Sequence, residues 1–307
     1  MSALDEVARR VRGEVTRDAP LSARTAVRVG GPADLLLRPA DVADLVGALA
    51  ACRELGVPWM VLGGGANLLV ADRGVRGAVV KLPPDLGAES RDGPRLVLSG
   101  GAPSSRLTGR AHEAGLVGCE FAAGIPGTLG GLVAMNAGTR TGEMKDVLTR
   151  AELATADGVG WVEAGELALG YRESRLPALG ICTRLEVELR QGNLDDSRAA
   201  MEADVAHRRA TQPLHQPTFG STFRNPVGAY AGQLIEAVGL KGHRIGGAMW
   251  SDVHANFVVN RGGATARDVL GLLNLARSRV KQRFGVALEP EVRLVGEFLG
   301  DERLEPL

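Results

Sequence analysis

Glycine sets the tightest constraint on what this chain folds into. Its 307 residues include 42 glycines, crowded above all into LGGGANLL (Leu62–Leu69) and AGIPGTLGGLVAMNAG (Ala123–Gly138). Glycine is costly in regular structure, so such runs mark backbone packed closely against a neighbour or held in special dihedrals. The glycines Gly63, Gly64 and Gly65 follow the strand-like VPWMVLG and free backbone N–H groups to meet an anion. The run does not fit GxGxxG before a long helix, because Leu68, Leu69 and Val70 continue as apolar sequence. There is no GK[ST], which excludes a P-loop. Taken alone, the run reads more readily as a tight turn than as a ligand site. In the second cluster Pro126 presets one dihedral and Gly127 permits another, while the Thr128 hydroxyl and nearby N–H groups suit phosphate oxygens. Gly130 and Gly131 let a short helix approach something closely, and a plain helix–sheet contact is the alternative. Two such clusters, each after apolar sequence, favour a dinucleotide cradle.

The bulk numbers exclude some classes. Lys+Arg and Asp+Glu are 36 each, so the formal net charge is zero, which argues against a nucleic-acid or membrane-surface protein. The N-terminal MSALDEVARRVRGEV reads as a short amphipathic helix with mixed charge and no signal-peptide core. No apolar run approaches the roughly 20 residues of a bilayer span. Cys52, Cys119 and Cys182 lie far apart with no CxxC and read as structural thiols in a reducing cytosol. The histidines show no HxxxH or HxH spacing, so no metal site is expected.

Along the chain, Asp41 reads as the N-cap and Gly56 as the stop of a helix with a Val42, Leu45, Val46 and Leu49 stripe. GAVVKL and RLVLSG read as strands, and Ser104 to Ala114 as a helix closed by Gly115. DVLTRAELATADGVGWVEA reads as a hairpin turned at Asp157-Gly158, and GICTRLEVELRQG as another strand. Beyond Gly192 the texture changes to a charged helix stopped by Pro213, then GSTFRNP, a short AGQLIEAVG helix and a long helix from Thr265 to Gly285. ALEPEVRLVG closes as a strand, with Glu289 and Glu291 on one face. Strands and helices mix without strict alternation, so the class is α+β.

GGGANLLVAD, GIPGTLGGLVAMNAG, YRESR, RRATQP, GSTFRNP, GLKG, HANFVVN and LEPEV, in that order, closely resemble the UDP-N-acetylenolpyruvoylglucosamine reductase (MurB) family. RTAVRVGGPADLLLRP resembles that family's opening segment, and the likeness runs from about Arg24 to Gly296. The resemblance implies a vanillyl-alcohol-oxidase/PCMH-type FAD-binding domain in two parts plus a smaller α+β substrate domain. The expected division is 1–192 for the first, with 289–307 as a candidate return to it, and 193–288 for the second. FAD is expected to be non-covalent, since neither glycine cluster holds His or Cys. The cofactor contacts it implies are Gly63, Gly64, Gly65, Asn67, Leu68, Gly124, Ile125, Pro126, Gly127, Thr128, Gly130, Gly131, Asn136 and Gly138.

The implied reaction is NADPH-dependent reduction of UDP-N-acetylglucosamine enolpyruvate, in the cytoplasm, by a monomer. By resemblance Ser221 is the general acid for the α-carbon, Arg172 clamps the carboxylate, and Glu291 hydrogen-bonds the enolate. The Glu291 assignment rests on register against Glu289. Asn225, Arg209, Lys241 and Tyr171 are implied substrate contacts, with solvated surface charge the alternative for Arg209 and Lys241. Thr139-Arg140 stands where the family commonly has Ala-Tyr, and Arg224 where it has Lys. With only Tyr171 and Tyr230 available, the chain resembles the subclass without an inserted tyrosine loop. The rivals are another FAD-dependent oxidoreductase of this fold acting on an alcohol or sugar, and a nucleotide-sugar sensor without chemistry.

Overall fold

The computed structural model describes residues 2–298 and residue 304. The chain forms two compact units. One holds Met1–Arg17, Asp34–Gly64 and Gly77–His207, the other Asp18–Ala33, Gly65–Arg76 and Arg208–Leu307. The division falls inside a helix, Leu194–Thr211, later than the composition change at Gly192.

The first unit contains helices α1 (Ala3–Arg10), α2 (Val42–Glu54), α3 (Ser105–Glu113), α4 (Leu129–Ala134) and α5 (Leu176–Leu179), and most of α6, the Leu194–Thr211 helix. Helix α2 begins where its cap predicts: the Asp41 carboxylate accepts the Asp44 N–H at 2.8 Å. Its Leu45 and Leu49 are buried with Leu35, Leu37, Ala78 and Val80. The second core of this unit lies on a 5-stranded antiparallel sheet, ordered Gly158–Glu163, Leu148–Thr155, Ile181–Glu188, Arg95–Ser99, Ser90–Asp92. Against it, Leu107 of α3 and Leu129, Leu132 and Val133 of α4 are buried with Leu98 and Leu185. The predicted hairpin is present, but Thr155 pairs with Gly158. The two-residue loop is therefore Ala156-Asp157, and Gly158 opens the second strand.

The second unit is built on a 4-stranded antiparallel sheet, ordered Thr218–Ser221, Phe257–Asn260, Ala248–Trp250, Arg244–Ile245. Helices α7 (Ala231–Ala237) and α8 (Ala266–Phe284) bury Ile235, Val269, Leu273 and Val280 with Phe219, Phe223 and Trp250. Helix α8 has a full capping box between Thr265 and Asp268. Asp72, at the end of GGGANLLVAD, adds a second cap by accepting the Ala266 N–H at 2.8 Å and the Arg267 N–H at 3.1 Å. The closing strand is only Arg293–Val295, paired in parallel with Leu68–Val70. Glu289 and Glu291 precede it. They flank Pro290, which forms an isolated antiparallel bridge with Phe223, so the regular strand is shorter than the sequence suggests.

Candidate active site

In the first unit the glycine clusters meet each other. A Cβ on Gly64 would lie 2.5 Å from the Gly127 Cα, and one on Gly63 would lie 2.8 Å from the Thr128 Oγ1. Backbone therefore rests on backbone, a contact that no side chain at Gly64 would permit. The Lys81 ammonium donates to the Gly63 carbonyl at 2.9 Å and adds positive charge beside the loop. Ser104 Oγ donates to the Ile125 carbonyl, and the Ser104 N–H donates to the Gly127 carbonyl at 3.0 Å. These bonds turn the carbonyls of the loop towards protein. The Gly127 and Thr128 N–H groups make no hydrogen bond among the described residues, so two half-buried donors are left for an anion.

Other positions in the cluster are committed elsewhere. The Gly130 N–H donates to the Gly100 carbonyl at 2.8 Å, and a Cβ there would lie 3.3 Å from the Cys182 Cβ. Gly130 thus serves the helix–sheet contact. The Gly131 N–H is capped by Thr128 Oγ1 at 3.3 Å. Gly124 and Pro126 are exposed on the loop. In the second unit a Cβ on Gly65 would lie 2.2 Å from the Arg24 carbonyl oxygen. Leu68 pairs with Arg293 there, and Asn67 Nδ2 donates to the Glu291 carbonyl at 3.0 Å.

Arg172 sits in a strained turn, with φ at +59°. Non-glycine residues hold such a conformation at a cost of about 1–3 kcal/mol and only where their surroundings impose it. The imposing contacts are specific. Buried Asn136 donates from Nδ2 to the Gly170 carbonyl at 2.9 Å and accepts the Lys145 N–H at 2.9 Å. Arg172 Nη2 donates to the Gly138 carbonyl at 2.9 Å, and its guanidinium lies 5.3 Å from the Tyr171 ring centroid. The amide of Asn136 is thus spent on protein, tying MNAG to the YRESR turn. Arg140 bonds Asp204 Oδ1 at 3.0 Å, and Thr141 donates to Asp204 Oδ2 at 2.9 Å.

In the second unit Ser221 follows Gly220, whose φ is +84°. The pairing between Thr218–Ser221 and Phe257–Asn260 is irregular at this step, with Ser221 opposite Phe257. Such an irregularity re-aims the residue that follows it. Ser221 is half-buried, and its hydroxyl makes no hydrogen bond among the described residues. The Thr222 carbonyl accepts the Glu291 N–H at 2.8 Å, so the two segments run side by side. The Arg224 N–H donates to the Glu289 carbonyl at 2.9 Å. Asn225 Oδ1 accepts the Ala231 N–H at 3.1 Å and so serves the start of α7. Lys241 is exposed and paired with Glu236 at 3.0 Å, and Arg209 is exposed on α6.

All three cysteines are buried. Burial pushes the Cys52 thiol up to about 11, and burial also raises Cys119 and Cys182 to about 12, so none is a thiolate at neutral pH. Among the described residues no group of three or more His, Cys, Asp or Glu could hold a metal ion, and no helix is long and apolar enough to cross a membrane.

Residues 33–161 match the FAD binding domain family, and residues 212–295 match the C-terminal domain of UDP-N-acetylenolpyruvoylglucosamine reductase. The UDP-N-acetylenolpyruvoylglucosamine reductase of Anaeromyxobacter sp. (strain Fw109-5) is 67% identical over 297 residues, covering 97% of this chain and 93% of that protein. The chain belongs to this reductase family. The reductase of Myxococcus xanthus is 52% identical, covering 93% of this chain and 94% of that protein. The crystal structure of the Thermus caldophilus MurB reductase superposes with a TM-score of 0.78 at 36% identity, covering 92% of this chain and 98% of that one. Family membership makes the chain an FAD-dependent oxidoreductase of α+β fold. The sequence reading missed the service that Asn67 and Asn136 give to the protein itself. It also passed over Asn256, although HANFVVN was in view.

Proposed function

We propose that the chain reduces UDP-N-acetylglucosamine enolpyruvate to UDP-N-acetylmuramate with NADPH as the hydride source, in the synthesis of peptidoglycan precursors. Gly63, Gly64, Gly127 and Thr128 fit a pyrophosphate, because their backbones pack closely, the Gly127 and Thr128 N–H groups make no hydrogen bond among the described residues, and the Lys81 charge lies beside the loop. These residues would hold FAD without a covalent bond. FAD, when bound, supplies hydride transfer from NADPH to the β-carbon of the enolpyruvyl ether.

Negative charge then develops next to the substrate carboxylate, and the chain's own groups answer it. Arg172 offers a planar guanidinium to the carboxylate. Ser221 Oγ gives its proton to the α-carbon, and a strongly basic carbanion-like centre needs no histidine beside that serine. Glu291 in its protonated form donates a hydrogen bond to the enolate. Asn225, Arg209, Lys241 and Tyr171 are assigned to the sugar and diphosphate. The domain roles follow, with FAD bound by 1–192 and substrate by 193–288. The same reading assigns the enzyme to the cytoplasm as a monomer.

The observation that carries the reading is the uncommitted Ser221 hydroxyl, set by an irregular strand step beside the Glu291 segment. Its test is product mass. Incubation with NADPH and the enolpyruvyl sugar is expected to yield a product heavier by two hydrogens. Flavin reduction by NADPH with the sugar recovered unchanged would favour an oxidoreductase acting on another substrate.

A further inference from the structure

We infer that Asn256, the buried asparagine of HANFVVN, is a positioning residue for Ser221, an inference that rests on the proton-donor role proposed above. Asn256 is 3% exposed. Its side chain grips both polar groups of one backbone residue: Oδ1 accepts the Phe223 N–H at 3.0 Å, and Nδ2 donates to the Phe223 carbonyl at 2.8 Å. Its own carbonyl accepts the Thr222 N–H at 2.8 Å. Three hydrogen bonds thus fall on the two residues that follow Ser221. An asparagine suits the task because a short planar amide offers a donor and an acceptor side by side, which Asp and Ser do not.

The need for such a clamp comes from the irregular step at Gly220. A strand slipped by one residue turns every following side chain to the opposite face, and an irregular step leaves the register open at that point. On the upstream side, Thr218 pairs with Val259 before the irregular step, and Ser221 pairs with Phe257 after it. Downstream, the three bonds to Asn256 form in one register only, the one that presents Ser221 as described. The surroundings are dry and rigid: Phe223 is 1% exposed and stacks on Trp250 with ring centroids 6.0 Å apart. Hydrogen bonds there do not compete with water, which makes the geometry stiff. Asn256 in turn is anchored by its N–H, which donates to His254 Nδ1 at 3.2 Å.

The test uses the full-length, flavin-loaded protein and separates the two half-reactions by single-turnover absorbance. The Asn256→Ser variant is expected to slow reoxidation by the enolpyruvyl sugar roughly 10–100-fold, the scale of a small misplacement of a reacting group. Flavin reduction by NADPH and the binding constant for the enolpyruvyl sugar should stay close to the parent's, while the melting temperature falls by about 2–8 °C because the Phe223 N–H and carbonyl lose their buried partners. Because Asn256 acts through Ser221, the Ser221→Ala, Asn256→Ser double variant should be no slower than Ser221→Ala alone. Parent-like reoxidation by Asn256→Ser, or a double variant slowed by the product of the single effects, would overturn the inference and leave the Ser221 role standing. Parent-like reoxidation by Ser221→Ala would instead remove the proton-donor reading on which it rests. If Asn256→Ser does not fold, Asn256→Gln, which keeps the amide but sets it one methylene further out, carries the same expectation for reoxidation. If neither variant folds with flavin, Asn256 is a fold element and the inference is overturned.

Discussion

Ser221→Ala is expected to lower turnover by about 10²–10⁴ while NADPH reduces the flavin at an unchanged rate. The size follows from the role, since removing a positioned general acid forces the α-carbon to take its proton from elsewhere. The selectivity follows from the structure. The Ser221 hydroxyl makes no hydrogen bond among the described residues, whereas its backbone is held by pairing with Phe257. Removing one oxygen therefore disturbs no internal contact, and stability should change by no more than about 0.5 kcal/mol. Stopped-flow absorbance with each substrate in turn reads the two rates, and a melting curve reads the fold. Turnover within a few-fold of the parent would take the proton away from Ser221.

Arg172→Lys is the second substitution with a large expected effect. The change keeps the charge but loses the planar fork that meets a carboxylate with two parallel bonds. Arg172 also donates to the Gly138 carbonyl and stacks on Tyr171, and a lysine cannot keep both contacts while reaching for substrate. Removal of one preorganised donor to a developing charge costs about 10²–10³ in kcat, and a loss of that order is expected here. The loss should fall on reoxidation by the enolpyruvyl sugar and spare reduction by NADPH. Steady-state kinetics with both substrates varied would measure it. Parent-like kcat and KM would mean that Arg172 is not the carboxylate clamp.

The sequence told some of this directly and concealed the rest for identifiable reasons. Asp41 and Thr265 announce their helices because a cap bonds its own chain three residues on, and local contacts are legible in local sequence. The glycine clusters read correctly as places of close approach, but sequence cannot name the neighbour. Gly64 approaches Gly127 as a loop-to-loop contact, whereas Gly130 approaches Gly100 and Cys182 as plain helix–sheet packing. The segment around Glu291 alternates as a strand does, yet regular pairing is confined to Arg293–Val295 with a single bridge at Pro290. The bridge from Pro290 to Phe223 comes from far along the chain and carries no local signal. The same distance hides the asparagines. Asn67, Asn136 and Asn256 each stand in a quoted motif, yet each spends side-chain bonds on a backbone remote in sequence.

The most direct test is the visible spectrum of the purified protein under anaerobic conditions, recorded as NADPH and then UDP-N-acetylglucosamine enolpyruvate are added. The predicted result is a flavin band that bleaches with NADPH and returns with the enolpyruvyl sugar. A band that bleaches and does not return would contradict the assigned substrate. A protein with no flavin band even after FAD is supplied would contradict the whole account.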